Sequence, residues 1–83
     1  MPTIYRCSTV LAESGFSRSS LYEAIADGTF TKPVKISERA VGWPADEVHA
    51  LNSARIGGAG PDKLRVPVQR LHDARAELAR VAA

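Results

Sequence analysis

The sequence predicts a mainly α-helical fold with a small β-hairpin, namely a winged helix-turn-helix domain followed by a C-terminal amphipathic helix. Two short helical segments are joined by a tight turn at Gly15, which is the helix-turn-helix pattern. Apolar and polar residues alternate on both sides of a turn within 32–43, which is typical of a hairpin. After a Gly- and Pro-rich break at 57–61, apolar residues recur at helical spacing.

The first helix is expected to follow a short extended segment over 4–6. Ser8 or Thr9 is the expected N-cap, because a side-chain hydroxyl can accept a hydrogen bond from a first-turn N–H. Gly15 is expected to end this helix. The single cysteine, Cys7, has no partner for an internal disulfide and is expected to be a small core residue.

The second helix is expected to span 18–27. Ser17 is well placed as its N-cap, and Gly28 as the left-handed residue that follows its C-terminus. Phe16, in the turn before the helix, is a predicted core residue. Three large residues lie on or near one face of the helix, namely Leu21, Tyr22 and Ile25.

The hairpin is predicted over 32–43, with its turn at 37–40. Its apolar residues alternate with lysine or glycine in the two strands: Val34, Ile36, Val41 and Trp43. An isolated two-stranded hairpin is marginally stable in water, so its apolar face is expected to pack on the helices. Trp43 is the largest apolar side chain of the sequence and is expected to close that core.

Pro44 is expected to open a third helix, since proline is tolerated in a first helical turn. The Gly- and Pro-rich segment 57–61 is expected to end it. Its first turn contains the acidic residues Asp46 and Glu47, which the positive end of the helix dipole favours. Its expected inward-facing residues are Val48 and Leu51. The chain is therefore expected to comprise a domain over 1–56, a hinge over 57–61 and a helix over 62–83.

The C-terminal helix carries an apolar stripe, with charged residues on its other faces. The stripe steps by three, four and three residues: Leu71, Ala74, Leu78 and Val81. Pro67 is disfavoured in a helix interior, so the helix is expected to start there or to be kinked there. The stripe can pack on the domain, pair with a second copy or order with a partner protein, and the pattern leaves all three open.

Composition restricts the functions open to this chain of 83 residues. A formal net charge of +2 permits nucleic-acid binding. No apolar run approaches the roughly 20 residues that cross a bilayer, and the N-terminus lacks the apolar region of a signal peptide, so a soluble, cytoplasmic protein is expected. His49 and His72 are expected to be surface residues without ligand partners, and no nucleophile is paired with a base. We therefore expect no metal, no cofactor and no enzymatic activity.

The second helix and the hairpin together present groups suited to duplex DNA. A helix-turn-helix places the N-terminal residues of its second helix against base edges in the major groove. Arg18 is the strongest candidate for a base contact, because its planar guanidinium can donate two hydrogen bonds to guanine. The predicted DNA-contacting residues are Ser17, Arg18, Ser19, Ser20, Tyr22 and Glu23 in the helix, Lys32, Lys35 and Arg39 in the wing, and Arg6 before the first helix.

Each of these features also has a purely structural interpretation. The second helix can be an ordinary capped surface helix whose serines face solvent, and short motifs of this kind occur often by chance. The charged side chains of the hairpin can instead prevent its exposed strand edge from pairing with other chains, as charges on edge strands commonly do. Because the two features occur side by side, they favour a winged helix that binds DNA.

Four blocks between Ile4 and Ile56 resemble the AlpA family of small phage and prophage transcriptional regulators, relatives of excisionases with a MerR-like winged helix-turn-helix domain. The blocks are GFSRSSLY at 15–22, GTF at 28–30, KPVKI at 32–36 and RAVGW at 39–43. The resemblance implies sequence-specific DNA binding through the second helix and the wing, with activation or repression of nearby genes or DNA bending during prophage excision. Thr31 stands where the family usually has proline, and Leu51 where it often has an aromatic residue.

We therefore predict a DNA-binding protein without catalysis. One module of this size buries little surface, so two or more copies are expected on adjacent DNA sites, associated through the C-terminal stripe. Two other classes remain open. One is a protein-interaction adaptor that does not contact DNA, and the other is an antitoxin-like antagonist whose C-terminal helix folds onto a target protein.

Overall fold

The computed structural model of the protein describes residues 3–82. Met1, Pro2 and Ala83, the outermost residues of the predicted ranges, lie outside the described residues. The described chain is mainly helical with a small antiparallel sheet, as predicted. Its elements in chain order are β1 (Ile4–Tyr5), α1 (Cys7–Ser14), α2 (Arg18–Asp27), β2 (Val34–Ser37), β3 (Ala40–Pro44), α3 (Ala45–Ile56) and α4 (Pro61–Ala82).

Local capping determines the bounds of α2, and it follows the prediction. The Ser17 hydroxyl accepts a hydrogen bond from the Ser20 N–H at 3.2 Å, which satisfies one of the free donors of the first turn. Gly15 and Gly28 end α1 and α2 in the left-handed conformation, with φ of 77° and 79°. A side chain is disfavoured in that region, so glycine is the residue that allows both helix ends.

The predicted N-cap of α1 is wrong. The helix begins at Cys7 instead, and Arg6 occupies the N-cap position without a side-chain hydrogen bond. Ser8 and Thr9 both lie exposed within the first turn. The earlier start is compatible with the pairing of β1, which ends at Tyr5 and leaves Arg6 to turn the chain.

Strand β1 joins the hairpin as a third strand, in the order β1-β3-β2. Ile4 pairs with Pro44 and Tyr5 with Trp43. A β-carbon on Gly42 would lie 2.5 Å from Ile4 Cγ2 and 2.8 Å from the carbonyl oxygen of Tyr5. Glycine at this position is therefore what lets β1 approach β3 so closely.

The predicted packing of the hairpin is confirmed for Trp43 and wrong for the two residues nearer the turn. Trp43 is fully buried, whereas Ile36 is 44% and Val41 38% exposed. The ladder shifts between Lys35 and Ser37, so that Ile36 is the extra residue of a bulge. The distal hairpin therefore carries apolar side chains that the core does not cover.

Trp43 is the largest residue of a core built from every helix. Its indole Nε1–H donates to the carbonyl oxygen of Thr31 at 2.9 Å, and Thr31 is itself buried. Phe16 is half-buried and packs edge-on against Phe30, with ring centroids 5.8 Å apart. The buried apolar residues of the core cluster are Val10, Leu21, Phe30, Trp43, Val48, Leu51, Leu64 and Val68.

Helix α3 starts one residue later than predicted. Pro44 ends β3 and occupies the N-cap position, and the Ala45 N–H donates to the carbonyl oxygen of Thr3 at 2.7 Å. Asp46 and Glu47 lie in the first turn as predicted. Glu47, however, is buried and directed to α4, where its carboxylate accepts two hydrogen bonds from the guanidinium of Arg75, one of them 2.9 Å long.

Helix α4 docks on the domain through its N-terminal half. Leu64 and Val68 belong to the core and Leu71 packs against it, whereas Leu78 is 71% and Val81 75% exposed. The alternative in which the stripe packs on the domain therefore holds for Leu71. No helix in the described range is long and apolar enough to cross a membrane.

A helix start at Pro67 is wrong, because α4 begins at Pro61 and runs through Pro67. Leu64 and Val68 are buried on either side of the proline, and this packing offsets the backbone hydrogen bond that proline removes. Ile56 ends α3 as predicted. The division at 57–61 into a domain and a separate helix stays a prediction about independent folding.

His72 links α4 to the chain that leads into the hairpin. The predicted surface position holds in part, since His72 is half-buried and its Nε2 accepts a hydrogen bond from the Lys32 N–H at 3.1 Å. Burial lowers the pKa of His72 below 6.5, with further lowering by the positive charges of Arg75 and Lys32. The carboxylates of Glu47 and Asp73 oppose this shift.

We expect the free energy of unfolding to fall when the pH is lowered through 6.5. A histidine whose pKa is lower in the folded protein takes up a proton more readily in the unfolded chain. Its contribution to the free energy of unfolding is therefore complete above pH 6.5 and is lost progressively below it. Urea denaturation at pH 7.5 and at pH 5.0 measures the change. His72→Gln keeps an acceptor for the Lys32 N–H without titrating, and it should reduce the loss. An equal loss in the variant would contradict this role.

Candidate nucleic-acid interface

A cleft of about 460 Å³ opens between the start of α1, the start of α2 and the hairpin. Each of these three elements contributes one arginine: Arg6 precedes α1, Arg18 is the first residue of α2 and Arg39 lies in the hairpin turn. The remaining lining residues are Cys7, Ser8, Tyr22, Ala40 and Val41. The lining includes three guanidinium groups and no carboxylate.

The three arginines of the cleft carry uncompensated charge. Within residues 3–82, the ion pairs involve Arg65, Arg75 and Arg80, and none involves Arg6, Arg18 or Arg39. All three cleft arginines are exposed. Guanidinium groups that are free to donate two parallel hydrogen bonds are well suited to phosphate and to guanine. The cleft is therefore chemically suited to phosphate and to guanine.

The N-terminus of α1, which has no side-chain cap, adds partial positive charge beside the three arginines. Because the Arg6 side chain makes no capping bond, the first-turn N–H groups of α1 lack a side-chain acceptor at the edge of the cleft. Free N–H groups at a helix N-terminus carry partial positive charge and favour anions. Cys7 and Ser8, which sequence reasoning did not assign to the site, line the cleft at this point.

Tyr22 connects the cleft to the core. Its ring packs edge-on against Trp43, with centroids 6.5 Å apart and an interplanar angle of 70°. Trp43 is in turn held by its hydrogen bond to Thr31. Arg18 lies one helical turn before Tyr22 on the same side of α2. The core thus sets the orientation of α2 relative to the hairpin.

Ser17 and Ser20, two of the serines predicted to contact DNA, bond to each other at the N-terminus of α2. The Ser17 hydroxyl donates to the Ser20 hydroxyl oxygen at 2.9 Å while it accepts from the Ser20 N–H. Ser19 and Glu23 lie exposed on α2 outside the cleft lining. Of the predicted residues in α2, Arg18 and Tyr22 are therefore the two that the structure brings into the cleft.

The two lysines of the wing lie in different places. Lys35 pairs directly with Val41, and directly paired residues share one face of a sheet, so Lys35 lies on the face that borders the cleft. Lys32 instead lines a separate groove with Arg65 and His72, between the C-terminal half of α2 and α4. Within residues 3–82, no cluster of three or more histidine, cysteine or acidic residues is arranged to hold a metal ion.

The described chain matches a known protein family. A family model described as the prophage CP4-57 regulatory protein (AlpA) matches residues 3–55, which is more than half of the chain. This range agrees to within one residue with the resemblance between Ile4 and Ile56. No curated protein and no solved structure matches the chain.

Proposed function

Since the chain belongs to the AlpA family of prophage regulatory proteins, we propose that it regulates by reading duplex DNA with α2 and the hairpin. Members of this family are DNA-binding regulators. The observation that carries the proposal is the cleft in which Arg6, Arg18 and Arg39 converge without ion-pair partners among the described residues.

In the proposed complex, the N-terminal turn of α2 enters the major groove. Arg18 donates to the edge of a guanine, and Tyr22 beside it contacts the backbone through its hydroxyl. Arg6 and Arg39 flank α2 from two other elements, where they contact phosphates on either side. Lys35 extends this contact along the hairpin. Ser19 and Glu23, the other exposed α2 residues predicted to contact DNA, lie outside the cleft lining.

Lys32 has a different place in this proposal. Its N–H is bonded to His72 and its side chain lies beside α4. It therefore contacts only phosphates that lie outside the footprint of the cleft. Ser17 and Ser20 contribute by holding the first turn of α2 in place, rather than by donating to DNA.

The salt dependence of binding tests the two phosphate-contacting arginines. Each contact released should reduce the slope of log affinity against log salt by about 0.9. Arg6→Ala and Arg39→Ala are therefore each expected to weaken binding to all duplexes alike and to reduce the slope by about one contact. Fluorescence anisotropy from 50 to 200 mM salt measures both quantities.

Arg70→Ala is the matched control for this experiment. Arg70 is an exposed arginine of α4 that does not line the cleft, so its removal changes the net charge by the same amount. An unchanged slope in Arg6→Ala and Arg39→Ala would contradict the phosphate contacts. Failure of the native protein to bind any duplex at low salt would overturn the proposed function.

The exposed end of α4 favours one second candidate. Leu78 and Val81 are apolar side chains without a cover in the described chain, which a target protein could bury. In that case the protein acts as an adaptor or as an antitoxin-like antagonist. DNA-independent co-purification of one partner, lost in Leu78→Glu and retained in Arg18→Ala, would support this candidate over DNA binding.

A further inference from the structure

An apolar groove lies on the side of the sheet away from the arginine cleft. Side chains alternate along β3, so Val41 borders the cleft while Gly42 and Pro44 face the opposite side. There a groove of about 360 Å³ separates the sheet from the distal half of α4. Its apolar lining residues are Ile4, Val34, Pro44, Leu71, Ala74 and Leu78.

The groove is continuous with further exposed apolar surface. Ile36 approaches the Gly42 position alongside Ile4, and both isoleucines are close to half exposed. Leu78 continues the patch along α4 to Val81. A contiguous exposed apolar patch on a small soluble protein marks an interaction surface more often than single exposed apolar residues do.

The C-terminal end of α4 extends beyond the contacts that hold the helix. The 22 residues of α4 span about 33 Å, and the last polar link to the domain is the ion pair between Arg75 and Glu47. We define the α4 tip as residues 77–81. Leu78 already forms one wall of the groove, so the tip cannot also fill the groove of its own chain.

We propose that two copies of the chain pair through this face, each placing its α4 tip in the groove of the other. A two-fold arrangement covers both unpartnered surfaces at once, because the same patch serves as tip and as groove. Charge supports this occupant. Asp46 is an exposed carboxylate that lines the groove. Arg80 lies next to Val81 on the tip, pairs with Glu77 of its own helix and keeps 78% of its side chain exposed, so in the pair it can share its guanidinium with the partner's Asp46.

The paired arrangement deepens the proposed function without depending on it. Because the groove and the arginine cleft open on opposite faces of the sheet, pairing leaves both clefts accessible. The patch is small, so the interface belongs at the low end of specific interfaces, about 1,200 Å² or less. Pairing is therefore concentration-dependent in solution, and two adjacent DNA sites strengthen it by raising the effective concentration.

Sedimentation equilibrium of the full chain without DNA is the first test. The expected mass rises with concentration from the 8.9 kDa monomer toward twice that value. Leu78→Glu should lower the association constant about tenfold or more. Val66→Glu is the matched control, because Val66 is 52% exposed on α4 and does not line the groove, and it should leave association unchanged.

Cysteine cross-linking tests the specific contact between tip and groove. Two proteins, Val34→Cys and Val81→Cys, each also carrying Cys7→Ser, are mixed under mild oxidation, so that any mixed product joins two chains. The mixed disulfide is expected for this pair and not when Val66→Cys replaces Val81→Cys. A monomer at every concentration, or equal cross-linking of the control, would overturn the pairing. A monomer that binds DNA overturns only the pairing, and a dimer that ignores DNA overturns only the proposed function.

Discussion

Replacing Arg18 with alanine is expected to remove the preference of the protein for its own DNA site. Arg18 is the arginine of the cleft that lies on α2 itself, and a bidentate arginine–guanine contact contributes roughly 1–3 kcal/mol of discrimination. The ratio of affinities for specific and random duplex should therefore fall about 10- to 100-fold. Anisotropy titrations with fragments that flank the coding region, and with a random duplex, measure this ratio.

Arg18→Lys separates charge from geometry. Lysine keeps the positive charge and lacks the planar fork, so this variant should retain affinity for random duplex while it loses the preference. Arg70→Ala removes an arginine outside the cleft and should leave the preference intact. A preference that survives in Arg18→Ala would show that another part of the chain reads the bases.

Replacing Trp43 with alanine is expected to lower the free energy of unfolding by about 3–5 kcal/mol. Trp43 is fully buried, packs against Tyr22 and donates to the Thr31 carbonyl, so the substitution opens a cavity and leaves a buried acceptor unpaired. A domain of this length has a total stability of about 4–12 kcal/mol. The substitution therefore removes a large share of the total stability, and the urea midpoint should fall accordingly.

Circular dichroism in a urea titration is the appropriate measurement, since Trp43 is the single tryptophan and its fluorescence disappears with the substitution. Val66→Ala removes an exposed apolar side chain of α4 and should change stability by less than about 0.5 kcal/mol. Trp43→Phe keeps most of the apolar volume but loses the donor, so it should lie between the two. A urea midpoint for Trp43→Ala equal to that of the native protein would contradict the central place of Trp43 in the core.

The helix bounds that were predicted correctly depend on interactions a few residues apart. Ser17 caps α2 by accepting a hydrogen bond from the Ser20 N–H. Gly15 and Gly28 lie where the chain adopts the left-handed conformation. These requirements are written in adjacent residues and survive any tertiary arrangement. The same holds for the hairpin, whose alternation and polar turn lie within one short segment.

Three of the features that sequence reasoning missed involve long-range partners. The extended segment over 4–6 was predicted, but its pairing with β3 was not, because a two-residue strand is too short to show periodicity. The continuation of α4 through Pro67 depends on the burial of Leu64 and Val68 against other helices. The direction of Glu47 depends on Arg75, 28 residues away. Local propensity describes none of these contacts.

The sequence by itself determined the fold class, both ends of α2, the C-terminal ends of α1 and α3, the hairpin and the family, because each rests on residue types at short, regular spacing. It also named the arginines at 6, 18 and 39, but as separate members of a longer set. Only the tertiary structure decided that these three share one cleft while Lys32 lies elsewhere. The reason is physical: convergence of side chains from α1, α2 and the hairpin depends on how Trp43 and its neighbours pack in the core, which spacing along the chain does not encode.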